Sequence, residues 1–192
     1  MRVVGLVLAL MLLERAPAAA GEIQVRPFLG VTFGGGTTLS PPEGADHAHV
    51  ALGIGVAWLG DVVGAEAEVA HVPGYLEPDS EALVLQSGVT TITGSFVLTL
   101  PHRLTQYTLR PYFVVGGGLL HAGSSQRGGF GDFDTQLGVI DVGGGATGFF
   151  TNHVGVTFDV RHFSTTGGTV VGFSILPAHV AFWRASVAVA IR

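Results

Sequence analysis

The chain has 192 residues, no cysteine and no lysine, and its nine arginines against 14 acidic residues leave a formal charge of −5. That excludes a disulfide framework, a cysteine-based metal site and the basic surface of a nucleic-acid binder. Charged residues make up only 12 % against 47 % hydrophobic, about half the share of charge usual in a soluble domain, and 30 glycines argue against long helices.

Met1-Arg2, an apolar run from Val3 to Leu13, and the small-residue stretch Ala16-Pro17-Ala18-Ala19-Ala20 predict a secretory signal peptide over residues 1–20, cut after Ala20. The apolar run is too short for a membrane anchor, which needs about 20 residues. Residues 21–192 are then a single domain. No later apolar run is long and unbroken enough for a transmembrane helix, so any span must be a closed barrel.

Strand one, from Glu22 to Thr32, sets Ile23, Val25, Pro27, Leu29 and Val31 against Gln24, Arg26, Phe28, Gly30 and Thr32. A period of two puts these sets on opposite faces. Gly34 to Asp46 reads as a long loop. In strand two, Val50, Leu52, Ile54, Val56 and Trp58 alternate with Ala51, Gly53, Gly55, Ala57 and Leu59, a second face of mostly small residues. Small residues suit a narrow lumen that other strands already fill.

After a short turn at Gly60-Asp61, strand three points Glu66 and Glu68 to the face opposite Val63, Ala65, Ala67 and Val69. Pro73 to Gln86 is a second long loop. Strand four, about Gly88 to Leu100, has Thr91, Thr93, Ser95 and Thr99 on its polar face, and a short turn carries the chain to strand five at Tyr107. Strand five, to Leu120, opens on Arg110-Pro111-Tyr112 as strand one opens on Arg26-Pro27-Phe28, and Pro is tolerated near a strand start.

His121 to Asp132 reads as the third long loop. Strand six, about Asp134 to Phe150, is rich in glycine; Ile140 and Val142 face out if Asp141, Gly143 and Gly145 face in. Thr151-Asn152 is a tight turn. Strand seven, His153 to Phe163, alternates Val154, Val156, Phe158 and Val160 with Gly155, Thr157, Asp159 and Arg161. Ser164 to Leu176 is the fourth long loop. Strand eight sets Trp183, Ala185, Val187, Val189 and Ile191 against Arg184, Ser186, Ala188 and Ala190.

Eight strands with long connections after odd strands and short ones after even strands describe an antiparallel up-and-down transmembrane β-barrel, with apolar residues toward lipid and charges in the lumen. A soluble lipocalin-like barrel is the rival and would reverse every face. Trp58, Phe149 and Phe150 fit an interfacial aromatic girdle.

The signal peptide, the Arg-Pro-aromatic strand starts, Gly143-Gly144-Gly145 and the stretch Phe158-Asp159-Val160-Arg161-His162-Phe163 resemble the OmpA/OmpX-like family of small outer-membrane β-barrels. The resemblance implies an outer-membrane location, lipid and lipopolysaccharide as surroundings, periplasmic chaperones and the barrel-assembly machinery as partners, a monomeric state and no cofactor. The chain departs from the family in ending Ala190-Ile191-Arg192 where an aromatic residue is usual.

Four cations, Arg26, Arg110, Arg161 and Arg184, share the inward faces with Glu66, Glu68, Asp141 and Asp159. A charge buried without a partner costs several kcal/mol or more, so a balanced set predicts an ion-pair network plugging the lumen. A narrow conducting path is the competing reading of the same residues.

His162 and Ser164 share the outward face near the external rim. They are similar to part of the His-x-Ser-Asn motif of outer-membrane lipid A deacylases, in which a His activates a Ser nucleophile. Thr165 stands where that motif has Asn, and no Asp or Glu follows His162, so the esterase is only the alternative to a non-enzymatic structural, surface-interaction or adhesion role. Gly143-x-Gly145-x-x-Gly148 leads into a strand where a dinucleotide fingerprint needs a helix, which excludes phosphate binding there. His47 and His49, and Asp132 and Asp134, are each too few for a metal site, so no metal is expected. The external loops are acidic, with Glu43, Asp46, Glu77, Asp79, Glu81, Asp132 and Asp134 against Arg127.

Overall fold

A computed structural model describes residues 21–37, 48–75, 84–101, 109–126, 133–166 and 179–192. The expected signal peptide and most of the long connections lie outside these residues.

Eight antiparallel strands form one closed barrel in sequence order: β1 (Glu22–Thr37), β2 (His49–Leu59), β3 (Val63–Pro73), β4 (Val84–Thr99), β5 (Leu109–Gln126), β6 (Phe133–Phe149), β7 (Val154–Thr165) and β8 (Val180–Ile191). Every strand pairs with its chain neighbour, and β1 closes on β8, with Leu29 opposite Val187 and Thr32 opposite Arg184. Closure leaves no strand edge unpaired, the condition for crossing a bilayer with β-structure.

The faces follow the alternation. Ile23, Leu29, Phe96 and Phe158 are more than 60 % exposed, while Arg26, Glu66, Glu68, Asp159, Arg161 and Arg184 are all buried. That arrangement is inside-out relative to a soluble barrel and removes the lipocalin-like alternative. In water the outer face would be one continuous apolar belt, far beyond the few hundred Å² that soluble monomers expose. The register of β6, which glycines leave unmarked, puts Asp141 inside opposite Phe163 and Ile140 outside opposite Ser164.

Four strands are longer than the alternation indicates. β1 continues to Thr37 through a bulge between Phe33 and Gly36, where Gly34 takes φ +59°, a left-handed conformation that favours glycine. β4 starts at Val84, β5 runs to Gln126 and β7 to Thr165, so part of each expected long loop is strand. The stretch from His121 to Ser124 is not loop: Ala122 is fully buried and lies between Val89 of β4 and Thr135 of β6. Ladder pairing to β4 and β6, more than an apolar face, holds it in the sheet.

The interior is layered. Toward the long connections, Val72, Tyr75, Val89, Leu120, Leu137, Phe163, Val180 and Phe182 form an apolar cluster. Toward the short turns, Ala57, Leu59, Val97, Tyr112 and Val114 form a second. Apart from Arg110, the described buried charges lie with the inward residues of the middle rows.

Candidate functional site

The middle layer is built on β3. Glu66 and Glu68, two apart on one strand, both point inward and both reach the opposite wall. Arg161 of β7, diametrically across the eight-stranded ring, donates to Glu66 at 2.5 Å, and Arg26 of β1 donates to the other oxygen of the same carboxylate at 2.9 Å. Arg184 of β8 grips Glu68 with two parallel hydrogen bonds of 2.6 and 2.8 Å, the bidentate geometry that makes Arg–carboxylate pairs strong.

These bonds answer a problem set by the sheet. Arg161 and Arg184 are directly opposite on β7 and β8. Like charges at such a pair are destabilising. Asp159 separates them from the side, accepting from Arg161 Nε at 2.7 Å and lying 3.9 Å from Arg184. Arg161 is also 3.7 Å from Glu68 and from Asp141, which places it at the centre of the cluster.

Neutral donors complete the set. Tyr112 donates to Asp159 at 2.7 Å, and Ser95 donates to Asp141 at 3.1 Å. Gln24 accepts from Arg26 at 2.7 and 2.9 Å. The Arg184 guanidinium is also stacked on Phe28 and Phe163, with centroids 4.5 and 4.9 Å away. The small second face of β2 has its reason here. A Cβ on Gly53 would run into the Phe28 ring, and Gly55 leaves space beside Glu66 and Glu68.

Arg110 is the residue that the structure does not bring into this cluster. It lies at the short-turn end, where its guanidinium donates to the carbonyls of Gly60 and Asp61 and to the Thr99 hydroxyl at 2.8 Å. β5 carries it one pleat too far toward the β2–β3 turn. Three arginines thus face four carboxylates in the layer, and Ser95 and Tyr112 supply the donors that a fourth arginine would have provided.

The void left in the layer, between Arg26, Glu66, Tyr112, Asp159 and Arg161, is about 20 Å³. That is room for roughly one water molecule. The two apolar clusters lie above and below it.

His162 and Ser164 do face outward at the long-connection end, as the alternation indicates. The His162 ring packs against Trp183, with centroids 4.8 Å apart. The carboxylates of the same and the neighbouring strand, Asp159 and Asp141, are buried inside the barrel, so neither orients that imidazole. His49 is turned inward toward Tyr75, 5.4 Å between centroids, and the Tyr75 phenol is pushed above its usual range by burial. Gly143, Gly145 and Gly148 are strand residues of β6. Among the described residues no three acidic or histidine side chains converge to hold a metal ion; His47, Asp132 and most of the acidic connections lie outside them.

Sequence reasoning passed over Tyr75 and Arg192. The turn at Gly74, with φ +70°, carries the Tyr75 ring into the barrel mouth, where it meets Phe182. Arg192 ties the end of β8 to its surroundings. It donates to Asn152 O and to Glu22 and covers the Phe149 ring at 4.0 Å. Neither role has a sequence signal beyond an aromatic after Pro-Gly and a terminal cation.

No protein-family model matches the chain, and no curated protein does either. Its fold matches solved structures at low identity. The chain is similar to Neisserial surface protein A, at TM-score 0.60 and 13 % identity over 87 % of this chain and 96 % of that one. It is also similar to Ail, the attachment invasion locus protein of Yersinia pestis, solved with the heparin analogue sucrose octasulfate. There the TM-score is 0.51 and the identity 12 %, over 88 % of this chain and 99 % of that one. The chain has the eight-stranded fold of these small outer-membrane barrels.

Proposed function

We propose that this protein is a non-enzymatic outer-membrane barrel, a rigid anchor that presents its long connections for interaction at the cell surface. The observation that carries the reading is the filled interior, in which an apolar, an ionic and a second apolar layer leave a void of about 20 Å³. A hydrated ion needs a continuous path through that stack, which disfavours the narrow pore. An esterase is disfavoured by the packing of His162 on Trp183 and by the inward direction of Asp141 and Asp159.

The acidic connections suit a basic partner or one joined through divalent cations, in contrast with the polysulfated ligand in the Ail structure. Membranes extracted in detergent test the anchor reading. A compact band in the outer-membrane fraction that shifts only on boiling supports it, and recovery in the soluble periplasmic fraction would remove it.

A further inference from the structure

Polar side chains are scarce on the outer wall, and they are not scattered. Apart from the two tryptophans, those that the described strands turn outward are His71, Thr90, His121, Gln136, His162 and Ser164. The first four lie in one row, each directly opposite the next across β3, β4, β5 and β6. One pleat toward the short turns stand Val69, Ile92 and Leu119, exposed and apolar; one pleat the other way stand Pro73, Gly88 and Gly123. The row therefore marks the upper edge of the lipid belt, where headgroups begin. On β8, β1 and β2 the large outward side chains toward the same end are Trp183, Phe33 and Val50, so this polar edge belongs to one side of the barrel.

Part of the row is already fixed in place. The His71 ring lies over the bare backbone of Gly88, where a Cβ would come within 3.0 Å of it, and its Nδ1 shares a hydrogen bond of 2.9 Å with the Thr90 hydroxyl. A charged imidazole carries a hydrogen on both nitrogens. In that state His71 Nδ1–H donates to Thr90 Oγ1, and the Thr90 O–H and His71 Nε2–H are both directed to a ligand. His121 flanks Thr90 from the other side and brings a second imidazole.

Charge decides what such donors can hold. The chain has no lysine, and the described arginines are engaged elsewhere: three in the ionic layer, Arg110 at the β2–β3 turn and Arg192 beside Glu22. Imidazoles are the cations of this wall. Glu66, Glu68 and Asp141, on the same strands, are buried on the lumen face, and Leu52, which flanks His71 from β2, is apolar. Asp134, whose backbone pairs with Gly123 one pleat beyond His121, and Glu77, Asp79 and Glu81, which follow β3 in the chain, are carboxylates that keep their charge between about pH 5 and 8.

We propose that His71, Thr90 and His121 bind the phosphate group of an external-leaflet lipid, and that imidazole protonation switches the site on. An anion that only accepts hydrogen bonds matches a set of charged donors at headgroup depth. Binding is present where the imidazoles are charged and is lost as pH rises through the range in which histidine titrates, between about 5 and 8. The inference rests on the barrel lying in a membrane, and the experiment separates the two.

The purified barrel in detergent is titrated with phosphatidylglycerol, whose phosphodiester keeps one negative charge throughout, and bound lipid is counted by native mass spectrometry at about pH 5.5 and about pH 8, either side of the imidazole range. Affinity should be about tenfold higher at the lower pH, on the order of one charge-assisted hydrogen bond. The pair His71→Gln and His121→Gln, both outward, should show the weaker binding at both, while His162→Gln keeps the difference; heat-modifiable mobility checks that each variant folds. Diacylglycerol, which has the chains without the phosphate, should bind weakly at either pH. Equal affinity for diacylglycerol, or a pH difference that the double variant retains, would overturn the site in favour of ordinary annular lipid. Full competition by inorganic phosphate at the concentration of the lipid would overturn the headgroup as its occupant. Quenching of Trp58 by chain-brominated lipid in refolded vesicles reports insertion separately: its absence removes the membrane premise, whereas an inserted barrel without the pH difference removes the site alone.

Discussion

The ionic layer and the apolar cluster above it fill the same eight-stranded interior by different means. In the ionic layer a few directional bonds join walls far apart in sequence and space: β3 to β1, β7 and β8. In the cluster, Phe163, Phe182, Leu120 and Leu137 fill volume with no fixed partner geometry, apart from stacked rings 5.1 Å apart. The first region therefore specifies which strands face each other, while the second seals the mouth and tolerates exchange of shape. A charge in the first is held by bonds of fixed direction. A methyl in the second has several neighbours.

Glu66→Ala should break that contrast hardest. It removes the acceptor of both Arg26 and Arg161, leaving two buried guanidiniums short of a partner, and should cost about 3–5 kcal/mol in urea unfolding from vesicles. Phe163→Ala in the cluster should cost about 3 kcal/mol, for the cavity it opens, and Phe163→Leu much less, because neighbours can close on a smaller gap. If Glu66→Ala costs less than Phe163→Leu, the ionic layer does not hold the walls together.

Arg110→Gln sharpens the same comparison from outside the layer. It loses charge-assisted bonds to the carbonyls of the β2–β3 turn but strands no carboxylate, so about 1–2 kcal/mol is expected in the same assay. The smallest effect belongs to Tyr75→Phe. Its hydroxyl is buried and makes no hydrogen bond among the described residues. Removing it should leave stability unchanged or raise it by up to about 1 kcal/mol, whereas a clear loss would show that the hydroxyl has a partner.

Much of this was legible in the sequence. The period-two alternation carried the strand count, the faces and the inward direction of seven charges that meet in one layer, because a side chain has only two directions in a strand. What escaped was length and partner choice. Gly34 to Gly36 and His121 to Ser124 carry no apolar alternation, since above the lipid belt neither face needs it; their strand state comes from neighbouring ladders. Arg110 faces inward as expected, but its height along the barrel is set by the stagger of β5 against β4 and β6, which the sequence does not state. The apolar upper cluster of Leu120, Leu137, Phe163 and Phe182 also escaped, because alternation alone does not distinguish an inward apolar residue at a strand end from a slip in register.

The barrel interior is closed, with its charges committed to each other. Planar-bilayer recording of the purified wild-type barrel tests it most directly. The layered interior predicts no unitary current in 1 M potassium chloride, a salt level of the order that screens surface charges to about 3 Å. A steady ohmic current, selective for cations and abolished by Glu66→Gln, would contradict it and make the four lumen carboxylates the lining of a pore.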